Sequence, residues 1–334
     1  MKIVIASDSF KGSLTSTEVA AAATRGIKAV YPDCHVVAVN VADGGEGTVE
    51  AVVEALHGQI ISVPVSDPLG RPIQARYGIA GQTAIMEMAA ASGLPLLSPH
   101  ERNPWLTSTH GTGEMIMDAI QKGCRNFLIG IGGSATNDAG TGMLQAMGFR
   151  FYDAQGQEIP HCTGGTMHLI ARIDDSAVPQ SVHESSFTIA CDVDTPFCGK
   201  EGAAPVFAPQ KGADAAMVQR LDAGMASLAQ VIQDKYHVDI VPIAGAGAAG
   251  GMGGAFRAFL HATLKRGIDM VLDAIDFNTT IQGAHLIITG EGKIDFQTAK
   301  GKTAAGVLAR AQQHGIPVVA IGGCVERCDS VDQL

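Results

Sequence analysis

The chain has 334 residues and a formal net charge of −10, with 46% apolar, 17% charged and 5% aromatic residues. That length exceeds what one hydrophobic core usually serves, so two domains are expected. No basic run offsets the acidic balance, which argues against a nucleic-acid partner, and no apolar stretch approaches the roughly 18 residues of a membrane span. The 41 glycines point to many tight turns and close backbone approaches. Seven scattered cysteines without a C-x-x-C pair read as reduced thiols rather than disulfides or a zinc site. The opening MKIVIASDSF lacks the longer apolar core of a secretory signal, so a cytoplasmic protein is expected.

In chain order, 2–6 reads as a short strand. The following segment reads as a helix opened by a Thr15/Glu18 capping box, with Val19, Ala23, Ile27 and Val30 on one face. HVVAVNVAD (35–43) predicts a second strand and GTVEAVVEAL (47–56) a second helix, the β-α-β-α pattern of a parallel sheet. The pattern then changes: IISVPVSDP, RPIQARYGI and TAIMEMA predict an antiparallel meander, with a domain boundary near Pro64–Pro68. A helix over 112–122, a strand at 127–129, a hairpin within FRFYDAQGQEI and a strand over 186–193 follow. Asp214 is expected to cap a long helix whose Met217, Leu221, Met225, Leu228 and Ile232 form one apolar stripe. A glycine- and alanine-rich stretch at 244–255 leads into a further helical segment. AHLIITGEG predicts a strand into a glycine turn, KTAAGVLARAQQHG a helix closed by Gly315, and IPVVAIGG a last strand. The simplest organisation is a Rossmann- or flavodoxin-like parallel-sheet domain built from 1–65 plus 281–334, with a mixed α/β domain, 66–280, inserted.

Four segments share one layout, an apolar strand followed by a polar or acidic residue among small ones and then a helix. They are ASDSFKGS (6–13), ADGGEGT (42–48), GIGGSATNDAG (130–140) and TGEGKID (289–295). Open α/β sheets bind ligands at the carboxyl ends of their strands, and helix N-termini favour anions. Any single one of these is better explained as an ordinary βα turn. Together they bring Asp8, Asp43 with Glu46, Asp138, and Glu291 with Asp295, and clustered carboxylates call for a cation such as Mg²⁺. Lys11, Lys293 and Lys211 stand in or near such turns and are candidates for neutralising phosphate.

Other readings are weaker. GAGAAG (245–250) matches G-x-G-x-x-G, but VPIAG before it is a poor strand, so close backbone packing or a phosphate loop is preferred to a dinucleotide site. GKT (301–303) ends like a Walker A motif, yet Phe296 stands where its first glycine is required. Trp105 reads as a packing residue.

Assembled, these segments resemble the bacterial type I glycerate kinases. The resemblance is carried collinearly by DSFKGSL (8–14), ADGGEGT (42–48), DPLGR (67–71), TSTHGTGE (107–114), GIGGSATNDAGTGML (130–144), CDVDTPFCGKEGAAPVFAPQKGA (191–213), GAGAAGGMGGAFRAFL (245–260) and ITGEGKIDFQT (288–298). It implies Mg²⁺- and ATP-dependent phosphorylation of D-glycerate to 2-phosphoglycerate, with 3-phosphoglycerate as the alternative product. The family pattern continues some tens of residues past the 316–323 strand. A chain stopping at Leu334 is therefore expected to have a shortened terminal domain, and a non-catalytic nucleotide-binding module is a second alternative.

On that reading Asp192, with Asp43 as runner-up, is expected to orient or deprotonate the acceptor hydroxyl, and Lys11 to neutralise phosphate. Gly132, Gly133, Ser134 and Asn137, with Gly290, Gly292 and Lys293, are expected to hold the nucleotide, and Asp8, Glu291 and Asp295 the Mg²⁺. Ser9, Asp138 and Lys211 are candidates for substrate binding. Arg71 is a candidate fork for the glycerate carboxylate, weighed equally against a turn-stabilising hydrogen bond. The expected partner is a small molecule, with neither nucleic acid nor membrane, and a homo-oligomer is compatible with the sequence.

Overall fold

In the computed structural model the described residues are 1–10, 12–45, 47–295, 298 and 303–326. Their strands are β1 (Lys2–Ser7), β2 (His35–Asn40), β3 (Gln59–Ser66), β4 (Pro72–Ala80), β5 (Thr83–Glu87), β6 (Asn126–Gly130), β7 (Arg150–Tyr152), β8 (Arg172–Asp174), β9 (Ser186–Ala190), β10 (Thr263–Lys265), β11 (Leu286–Ile294) and β12 (Val318–Val325). The chain divides into two compact units, one of Met1–Gly58 with Arg266–Leu334 and one of Gln59–Lys265. The divisions fall earlier than the expected 65/66 and 280/281. β3 pairs along its whole length with β4, from Gln59↔Ile79 to Ser66↔Pro72, and the helix Gly267–Ala274 buries Ile268 and Leu272 in the core of the terminal unit.

In the terminal unit a four-stranded parallel sheet has the order β12-β11-β1-β2. Val4, Ala6, Val41, Ile287, Val307 and Ile316 share its core. The Thr15/Glu18 capping box opens the helix Ser16–Val30 as the spacing predicts. The chain leaves β1 toward β2 on one side, while β11 and β12 lie on the other. The sheet order therefore switches at the β1/β11 pair, the place where open α/β sheets receive ligands. One expectation fails here. GEG does not form a turn, because β11 runs on to Ile294 in parallel register with β12, from Ile287↔Val318 to Ile294↔Val325. β12 lies at the sheet edge and leaves Val319, Ile321 and Val325 exposed.

The second unit holds a six-stranded mixed sheet of order β10-β9-β6-β5-β4-β3 and a two-stranded β7-β8 ribbon. β3, β4 and β5 form the antiparallel meander read from the sequence, and β5, β6, β9 and β10 run parallel. Pro64 sits within β3, which is tolerated because β3 is an edge strand and no neighbour requires its missing N–H. The helix Ala215–Tyr236 is capped by Asp214, whose carboxylate accepts from the Met217 N–H, and it buries Leu221, Met225, Leu228 and Ile232 as its stripe predicts. Val63, Met86, Phe127, Met143, Phe187 and Phe256 are among the residues of a core confined to this unit.

Candidate active site

In the second unit, parallel register aligns Glu87, Gly130, Ala190 and Lys265 in one row across the carboxyl ends of β5, β6, β9 and β10. Gly132 and Asp192, each two residues past this row, leave the sheet from neighbouring strands about 5 Å apart. Gly132, Gly133 and Asp192 are exposed. Gly133 has φ +72, and an added side chain there would strain the turn that presents these peptides. This edge can receive a ligand between glycine peptides on one side and a carboxylate on the other. Glu87 joins the same row, and sequence reading missed it because TAIMEMA was treated only as a meander strand. An acid closing an apolar run was the available signal.

The rest of the GIGGSATNDAG segment turns inward. Ser134, Asn137 and Asp138 are buried, Asn137 and Asp138 completely. Asp138 accepts from the Thr109 N–H and hydroxyl at 2.8 Å each and from the Gly140 and Gly142 N–H groups at 3.2 Å. Burial pushes its carboxyl above the usual carboxylate range, against the downward pull of those bonds. These contacts make Asp138 an internal bracket rather than a substrate contact. Asn137 donates to the Met225 sulfur at 3.3 Å, and its Oδ1 lacks a hydrogen-bond partner among the described residues. In this structure it faces the core and not a nucleotide.

Lys211 and Arg71, two candidate substrate contacts, both bond to their own chain. Lys211 is 1% exposed, and its Nζ donates to Ser134 Oγ at 2.6 Å and Thr136 O at 2.7 Å. Desolvation pushes it down to about 7, opposed by the charge of Asp138, and a buried amine so placed does not reach a solvent-borne substrate. Arg71 spends its fork on its own chain: Nε donates to Asp67 Oδ2 at 2.6 Å and NH1 to Glu101. The turn-stabilising role is the one the structure displays.

In the terminal unit β1 and β11 are paired at Ser7↔Gly290, so Asp8 and Glu291 follow at adjoining strand ends, and both are buried. Asp8 accepts from the Ser9 N–H at 2.6 Å and from the Thr303 hydroxyl at 2.9 Å. Thr303, drawn from the helix Thr303–Gln313, is a second contact missed from sequence. Asp295 follows the end of β11. In an extended strand it lies about 13 Å along the chain from Glu291, and its carboxylate is 3.4 Å from Lys293 Nζ, which also pairs with Glu326 at 2.9 Å. The expected Asp8/Glu291/Asp295 cage is therefore not formed. Among the described residues no three His, Cys, Asp or Glu side chains converge to hold a metal. Asp8 and Glu291 alone fit Mg²⁺, which takes one or two carboxylates and completes its shell with water and phosphate oxygens.

Gly290 and Gly292 are strand residues of β11 beside this pair. Ser9 lines two neighbouring cavities of about 380 and 410 Å³, together with Thr15 and Gly47. Asp43, half-buried past β2, accepts from the Gly45 N–H at 3.2 Å. Lys11 and Glu46 lie outside the described residues.

The decoys resolve physically. In GAGAAG, a Cβ on Gly250 would come within 2.2 Å of Thr136 O, and at Gly247 within 2.1 Å of Pro196 O. The glycines are there for chain-on-chain packing, not for a dinucleotide. Trp105 packs beneath the Arg220 guanidinium, 3.8 Å from its ring centre.

Two parallel-stranded carboxyl edges, one with exposed glycine peptides and a carboxylate and one with paired acids, define an α/β protein of the phosphate-handling class. The comparisons narrow this. The chain matches the model of the glycerate kinase family over residues 3–333 and belongs to that family. It is 47% identical to the glycerate 2-kinase of Escherichia coli, over 97% of this chain and 85% of that one, and 48% identical to a glycerate kinase of Bacillus cereus, over 97% and 86%. A solved Salmonella typhimurium LT2 structure assigned as glycerate kinase 2 superposes with a TM-score of 0.93 at 46% identity, covering 98% of this chain and 90% of that one.

Proposed function

We propose that the chain transfers the γ-phosphoryl group of ATP to the 2-hydroxyl of D-glycerate, giving 2-phosphoglycerate. The observation that carries this is the family match over nearly the whole chain, supported by 47% identity to a glycerate 2-kinase. Phosphoryl transfer depends on positioning and charge stabilisation more than on covalent chemistry. Asp192 is suited to orient the acceptor hydroxyl and take its proton, because it is exposed and follows the strand paired with the one that leads into Gly132–Gly133. Those peptides are suited to phosphate oxygens. Asp8 and Glu291 would hold Mg²⁺. When bound, that ion neutralises charge on the phosphates of the nucleotide. Thr303 and the Ser9 N–H keep the Asp8 carboxylate in place for that task.

The test is a coupled ADP-release assay with D-glycerate, L-glycerate and hydroxypyruvate. The expected result is turnover with D-glycerate and little with the other two. Nucleotide binding without any turnover on D-glycerate would instead support the non-catalytic module.

A further inference from the structure

We propose that Lys211 is a positioning residue, an internal amine clamp that fixes the Ser134–Thr136 turn and through it the exposed Gly132–Gly133 peptides. The inference rests on the reading above, in which those peptides face the phosphates. Lys211 lies 75 residues and more from the atoms it holds, so its two bonds tie one loop of the unit to another. The turn has other anchors on its backbone. The Ala135 N–H donates to Ser92 O at 2.9 Å, and the Thr107 hydroxyl donates to Ala135 O at 3.0 Å. Among the described residues it is Lys211 that holds the Ser134 hydroxyl and the Thr136 carbonyl. Ser134 directly follows the glycine pair and Thr136 lies two residues further on. The Met88 N–H holds Gly130 O and the Leu94 N–H holds Gly133 O, each at 2.8 Å, so the clamp acts from the far side of the pair, completing its fixation.

The amine holds its partners without a carboxylate bonded to it. The charged groups facing it are few. Asp138 lies in the same segment as the turn but is occupied by Thr109, Gly140 and Gly142. Arg102 packs its backbone against Gly212, and Asp214 caps the next helix. With two partners, either protonation state leaves one N–H unmatched, but the ammonium also buries a desolvated charge. The neutral amine donates to Thr136 O and accepts the Ser134 hydroxyl proton, which matches both partners. Protonation then disturbs the turn, and the ordinary lysine value of 10.5 is pushed down to about 7 by this burial.

The experiment uses the full chain with Mg-ATP and D-glycerate, following kcat and KM against pH for wild type, Lys211→Gln and Lys211→Met. The wild-type kcat/KM is expected to fall on the acid side with a midpoint near 7. Lys211→Gln, uncharged at every pH and able to bond both partners, should lose that limb and keep most of its activity. Lys211→Met should raise KM for ATP by about 10-fold or more at every pH. An unchanged acid limb in Lys211→Gln, or wild-type kcat and KM in Lys211→Met, would overturn the clamp. Should neither variant fold, NMR of the wild type decides. A lysine ammonium titrating near 7 with the Gly132 and Gly133 amides on the same curve supports it, and glycine amides that do not move overturn it. A wild type without turnover on D-glycerate would remove the kinase reading, while the same NMR titration still judges the clamp.

Discussion

At the scale of single residues, the buried polar groups separate support from chemistry. Asp138 holds four donors inside the core. Asp138→Ala should destabilise the protein by roughly 3 kcal/mol, by stranding those donors and opening a cavity, as denaturant unfolding would show. Lys211 makes a different signature. Its folded value near 7 lies below the ordinary 10.5, so between those values the unfolded chain binds the proton and the folded one does not. Stability therefore rises with pH across that window. Lys211→Met should flatten the dependence, and an equally steep curve in the variant would contradict it. Glu101 has the same sign in an acid window, for a different reason: its charged form is stabilised rather than desolvated. The Ser98 N–H and hydroxyl, then Arg71, hold its carboxyl down to about 2, against the ordinary 4.5. The stability it lends is complete above that ordinary value and is lost as pH falls from 4.5 toward 2. In Arg71→Ala the Glu101 carboxyl should titrate only modestly higher by NMR, because the larger contribution comes from Ser98 and remains. Residue identity alone did not reveal any of this. Sequence reading found Asp138, Arg71 and Lys211 as notable polar residues, but which way each turns depends on contacts: with Thr109 and Ser134, distant in the chain, for Asp138 and Lys211, and with Asp67 across a local turn for Arg71.

At the scale of elements, local patterns carried the reading well. The Thr15/Glu18 capping box, the Asp214 cap and the apolar stripe from Met217 to Ile232 are written in spacing, and the structure contains each. Thr15→Ala should lower stability by about 1 kcal/mol. The meander was legible because Pro68 with Gly70, and then Gly81, punctuate it. Spacing failed where pairing decided the outcome. GEGKI looks like a turn, but parallel partners on β12 keep it extended, with Asp295 just past the strand's end. The G-x-G-x-x-G match failed for a related reason, since the glycines serve backbone contact. Gly250→Ala combines a left-handed φ of +68 with a 2.2 Å approach to Thr136 O and should destabilise the fold by more than about 2 kcal/mol without affecting any nicotinamide binding.

At the scale of the whole molecule, the two cores are separate in composition. One draws on residues between Val63 and Ala262, the other on residues from Val4 to Val41 and from Ile268 to Val318. The insertion of one unit into the other was legible from the return of the βα pattern near the chain's end. The boundaries were not, because strand pairing across β3–β4 and helix burial, rather than the prolines, set them. Each unit presents its candidate groups at the carboxyl edge of its own parallel strands, and family membership names the reaction for which those groups are proposed. The most direct test of that reaction is phosphorus NMR of the product formed from Mg-ATP and D-glycerate. A phosphate resonance coupled to the C2 proton, that of 2-phosphoglycerate, is predicted. A resonance coupled to the C3 protons, or no phosphoglycerate at all from active nucleotide-binding protein, would contradict it.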